Sequence, residues 1–285
     1  MTVATNAVTV ARDDFLNAAR SHVVLAVVAA FVGSVALVFL AEMDLFADPY
    51  RTLYDVAQLL VLIGPILLAP LTYLAIVGDL TSGRIKFVLG LPNSRLAYFA
   101  GKVLARSAVA VAAVTASVIV GFAIALVTFA NSPGVANFLL FAGASALYVL
   151  AFVSIFVAIS ASVRSRSRAM FAVVAVYFVL VPFWLGMTPP LTLETLFSAA
   201  GDLLGTTISE STRNFVRRLS PLMAYGGLIE PIFVEGADQY DRFAHFGGEP
   251  TAVHDRLWFF LAVLGCWTLG SLGLGFLQFR RAELG

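Results

Sequence analysis

His245, Glu249, His254 and Asp255 are the side chains best suited by type to hold a metal ion. Structural metal sites pair ligands a few residues apart, and these spacings match no such pattern. Gly247, Gly248 and Pro250 lie between the two histidines, so a solvated loop is the reading and no metal site is expected. Gly101-Lys102 is the next candidate, as part of a phosphate cradle. A P-loop needs an earlier glycine and a following Ser or Thr; here the glycine is missing and Val103 follows. No catalytic residue is expected, because no nucleophile stands with a credible base, and a membrane-embedded hydrolase ranks last. Cys266 is the single cysteine, so no intrachain disulfide forms.

The elements that must position any site are hydrophobic. The chain has 285 residues, 60% hydrophobic and 12% charged, with a mean hydropathy of +0.92. Soluble domains carry about 25% charged residues, so this surface must face lipid. Crossing roughly 30 Å of hydrocarbon takes about 20 apolar residues. Six runs qualify: 23–41, 56–77, 107–130, 135–163, 169–187 and 257–279. They are apolar all round, and in lipid each backbone amide must be bonded within its own segment, so they read as helices. The expectation is a single all-α membrane-spanning domain over 1–285, with an external segment at 188–256. Stretches 191–204 and 211–219 are expected to form short helices there, and Ser220-Pro221 and Glu230-Pro231 to mark turns. Pro65, Pro70 and Pro182 should kink their spans. Ser271 and Gly275, with Gly270 and Gly273, mark a close-packing face.

Charge distribution sets the orientation. One side holds 12 basic residues against 4 acids, a balance of +8; the other holds 6 against 13, or −7. The positive side is the cytoplasmic one, so both termini should be cytoplasmic, in agreement with an even span count. The Arg164-to-Arg168 cluster belongs to that side as a headgroup anchor. The spans hold almost no ionisable residues, and a mid-membrane charge costs on the order of 3 kcal/mol and usually marks an ion path. A proton- or sodium-coupled carrier is therefore disfavoured. No nucleic-acid partner is expected; the lipid bilayer of the cell membrane is the surrounding partner.

Between the second and third spans lies Asp79-Leu-Thr-Ser-Gly-Arg-Ile-Lys-Phe-Val-Leu-Gly-Leu-Pro-Asn-Ser-Arg95. Thr81, Ser82 and Gly83 break the helix; Ile85, Phe87, Val88, Leu89 and Leu91 give an apolar face beside Arg84 and Lys86. Pro92-Asn93-Ser94 turns the chain, and Asn93 or Ser94 caps the next helix. A short, partly apolar surface helix must rest on lipid or on a partner.

This segment resembles the ABC-2 type permeases, membrane subunits of ABC exporters, and particularly the branch like the nitrous-oxide-reductase maturation permease. The family order is an acid, a glycine, an apolar run, Pro-x-Ser-Arg and a Gly-Lys entering helix three. Asp79, Gly83, Leu89, Pro92, Ser94, Arg95, Gly101 and Lys102 follow it, with Asp79 where Glu is commoner and Arg84 where Thr is usual. The resemblance implies six transmembrane helices and a coupling helix made by Asp79, Gly83, Arg84, Phe87, Leu89, Pro92, Ser94 and Arg95. It further implies an ATP-binding-cassette ATPase as partner, a second permease copy or homologue, and ATP and Mg bound by that ATPase, with no cofactor in this chain. The function expected is export of a substrate by a permease subunit. The alternative is a non-transporting membrane scaffold that recruits a cytoplasmic partner.

Overall fold

The computed structural model describes residues 3–90, 93–131, 133–234, 240, 243 and 252–282. Every regular element among them is helical. In chain order these are α1 (Val3–Ala19), α2 (His22–Glu42), α3 (Tyr50–Thr72), α4 (Val77–Thr81), α5 (Arg84–Gly90) and α6 (Arg95–Thr128). There follow α7 (Val135–Ser162), α8 (Arg166–Leu180), α9 (Leu193–Leu204), α10 (Glu210–Arg218), α11 (Pro221–Val234) and α12 (Leu257–Arg281). Five are long and apolar enough to cross a membrane: α2, α3 running on into α4 (Tyr50–Thr81), α6, α7 and α12.

The core forms around α7, whose apolar residues point to every side. Val149, Phe152, Val153 and Phe156 are wholly buried, and α12, α6, α11 and α3 all pack on this helix. Two of its polar side chains, Tyr148 and Ser160, settle backbone groups that breaks in a neighbouring helix leave open. Pro65 has no N–H for the Val61 carbonyl four residues earlier, and the buried Tyr148 hydroxyl donates to that oxygen at 3.0 Å. Where α3 loosens into turns before α4, Ser160 Oγ accepts from Ile76 N and Val77 N, each at 3.1 Å. In an apolar interior an unmet carbonyl is costly, so Tyr148→Phe is expected to destabilise the chain by about 1–3 kcal/mol. A thermal melt of the purified protein checks this, with Tyr177→Phe as a half-buried comparison.

Two sequence expectations are corrected here. The run 169–187 does not form one helix: α8 has 15 residues and stops at Leu180, about 22 Å of rise. Pro182 cannot continue the ladder, and Phe183 N reaches back five residues to Phe178 O at 2.9 Å. The chain then winds in turns to Gly186 at φ 73°. Secondly, Glu230-Pro231 is not a turn between pieces, since Pro231 lies inside α11. Only three residues follow it in the helix, and the burial of Ile229, Ile232 and Phe233 around it holds that helix together.

The expected helices at 191–204 and 211–219 appear as α9 and α10. A capping box of Thr192 and Thr195 starts α9, and Ser209 caps α10. Two tryptophan N–H groups close the other end of α10: Trp184 donates to Arg217 O at 2.9 Å and Trp267 to Leu219 O at 2.8 Å. Gly275 lies against Ala158 so closely that an added Cβ would stand 2.7 Å from its Cα. The small-residue face of α12 thus packs at Gly275 within the chain, on α7, while Gly270 and Gly273 have open space.

Candidate functional site

Gly83 adopts φ +75°, the left-handed conformation that turns α4 into α5. The short helix that follows has two different sides. Ile85 is fully buried, and Val88 and Leu89 lie half-buried against the core. Arg84, Lys86 and Phe87 point away, and Phe87 is 81% exposed. Phe87 is thus an exposed aromatic ring beside two cations, on a helix whose opposite side is packed through Ile85.

Beneath α5 lies a buried ionic cluster. Lys102, only 4% exposed, places Nζ 2.7 Å from Asp14 Oδ1 and 2.7 Å from Asp79 Oδ2. The Tyr98 hydroxyl donates to Asp79 Oδ2 at 2.7 Å, and Arg106 Nη2 approaches Asp14 Oδ2 at 3.1 Å. A buried charge is tolerated only when paired, and Lys102 is answered by two carboxylates on two elements. It therefore ties α1 and α4 to α6. The contact between α1 and α6 is close because Gly101 has no side chain: an added Cβ would stand 2.6 Å from Val10 Cβ and 2.9 Å from Ala7 O.

The family of the chain follows from its whole length. Residues 8–284 match the model of a family described as ABC-2 family transporter protein. The chain belongs to that family. No curated protein matches it. ABC-2 permeases are membrane components that work with an ATP-binding-cassette subunit.

In this ABC-2 chain the residues singled out from sequence fall into two groups. Gly83, Arg84, Phe87 and Leu89 come together on or beside α5. Asp79, Ser94 and Arg95 are engaged inside the chain. Asp79 belongs to the Lys102 cluster. Of the two expected caps, Ser94 is the one used, its Oγ accepting from Ala97 N at 3.1 Å. Arg95 Nη1 donates to Phe279 O, Arg280 O and Ala282 O at 3.3, 2.6 and 3.0 Å. These carbonyls lie at the end of α12, where Phe279 O also accepts from Ala282 N and a cation favours the helix dipole, so Arg95 fastens α12 to the start of α6. Pro92 lies outside the described residues, as do His245 and Glu249. Arg166, in the basic cluster, donates from Nε to Thr81 Oγ1 at 2.9 Å and so steadies the end of α4.

Sequence reasoning missed α1 and Asp14. The signal was present: Ala7, Asp14 and Ala18 recur at helical spacing and are all buried. A charge on the buried stripe of a helix calls for a cation elsewhere in the chain.

Proposed function

We propose that this ABC-2 chain is the permease subunit of an ATP-binding-cassette exporter, and that α5 is its coupling helix. Support comes foremost from Phe87, bare on a helix whose other face is fixed by Ile85 and by the Gly83 turn. A groove of the separate ATPase, which holds ATP and magnesium, would cover Phe87 beside Arg84 and Lys86. Movement of that groove passes through α5 into α4, and from there through the Asp79–Lys102–Asp14 cluster into α6 and α1. The sixth crossing consists of α8 and the turns through 187. The permease works beside a second copy or a homologue in the cell membrane, with both termini cytoplasmic, as the charge bias of its short loops supports.

Covering a phenylalanine contributes about 1.5–3 kcal/mol. Phe87→Asp is therefore expected to cut ATPase co-purification from mild detergent at least tenfold while leaving the permease's melting temperature unchanged. Since Leu89 is half-buried, a change there would mix docking with folding, and Phe87 is the cleaner test. Undiminished ATPase recovery with Phe87→Asp would overturn the assignment of α5.

A further inference from the structure

At the end of the bundle away from α5, a cavity of about 640 Å³ opens between the start of α3, α10, α11 and the turn Val253–Asp255. Sites for drug-sized ligands run to about 300–1,000 Å³. The charges that line this one are not equally committed. Arg217 engages Glu194 through Nε and Nη2, and Asn214 Oδ1 through Nη1 at 3.1 Å. Arg218 pairs with Asp255 at 2.8 Å and lies over the Phe260 ring at 5.3 Å. Glu230 also lines the cavity, and it has no hydrogen-bond or ion-pair partner among the described residues. Arg218 is answered by Asp255, and Arg217 shares Glu194 with Arg213, so Glu230 is the lining carboxylate that stands without a partner among the described residues.

The rest of the lining suits a cation with an apolar body. Tyr54 and Phe233 meet edge to face at 5.4 Å, and Met223 and Ile229 add apolar surface. Arg51, whose guanidinium lies 5.6 Å from the Tyr54 ring centroid, is paired with Asp55 at 2.5 Å. Gly226 leaves open room, because a Cβ added there meets nothing within 4 Å. A bound metal ion would need several ligand groups together, and no group of three or more such residues exists among the described residues. We propose that this cavity binds an organic monocation, with Glu230 as its counter-ion and Tyr54 and Phe233 as an aromatic wall. Binding is a property of this chain alone and does not depend on α5 docking an ATPase.

The test is equilibrium binding of tetraphenylphosphonium to the full chain in nanodiscs, with empty nanodiscs subtracted. Saturable binding is expected, at least tenfold weaker in Glu230→Gln and lost in Gly226→Leu, which fills the open room. The isosteric anion tetraphenylborate is expected to show no saturable binding. Gel-filtration profiles and melting temperatures matching the parent chain show that both variants are folded. Any of four results overturns the proposal: no saturable binding, equal affinity in folded Glu230→Gln, equal binding of tetraphenylborate, or displacement by calcium or manganese at low concentration.

Discussion

Lys102→Met destabilises the chain by about 3–5 kcal/mol, the cost of leaving buried charges without their partner. The effect is large because one ammonium answers two carboxylates. Without it, Asp14 and Asp79 remain in a nearly closed space with side-chain exposures of 7% and 14%. Arg106 offsets part of the charge on Asp14, whereas among the described residues Asp79 keeps the Tyr98 hydroxyl. Methionine fills the volume of the lysine stem, so the loss reports charge rather than a cavity. The measurement is thermal unfolding in detergent, read for Lys102→Met and for the quadruple variant that adds Asp14→Asn, Asp79→Asn and Arg106→Gln. Removing all four charges is expected to recover most of the loss, since replacing a whole buried ionic group by neutral side chains is often close to neutral. A Lys102→Met chain that melts with the parent would show that the cluster does not hold α1 and α4.

Gly101→Val detaches α1 from α6. Two carbons would be brought to 2.6 Å and a backbone oxygen to 2.9 Å of the new Cβ, and α1 cannot yield without moving as a whole. Overpacking of this kind costs about 1–3 kcal/mol, and here it falls on one surface helix rather than on the core. Limited trypsin digestion reads it, because Arg12 is exposed but sits inside α1. Cleavage there is expected to quicken at least tenfold in Gly101→Val. The comparison is Gly273→Val in α12, where an added Cβ has open space and no change is expected. Equal cleavage of parent and Gly101→Val would mean that α1 is already loose.

These two residues stand in the Gly101-Lys102 pair that sequence reading first weighed as half of a phosphate cradle. The pair works instead as a structural joint: glycine lets a helix come near and lysine bonds it. Spacing alone could not say so, because the partner of Lys102 in α1 is 88 residues away. Phe87 and Gly83 were legible for a different reason. A glycine break followed by an apolar run with two cations defines a short surface helix from local chemistry, and α5 lies where that pattern put it. Arg95 was legible as a conspicuous residue but not in its contacts, since the carbonyls it meets belong to the far end of the chain.

By itself, the sequence determined that this is a helical membrane chain, where its long apolar segments run, and that a short helix interrupts them after Gly83. Hydropathy and turn chemistry are sums over neighbouring residues, so they need no knowledge of the fold. Tertiary structure alone decided which carboxylates meet Lys102, that α1 docks on Gly101, and that Tyr148 meets the carbonyl freed by Pro65. It also decided that α11 stays helical through Pro231. Each of these turns on which distant groups share a buried space. In a low-dielectric interior, a polar group must find its partner wherever the packing brings one.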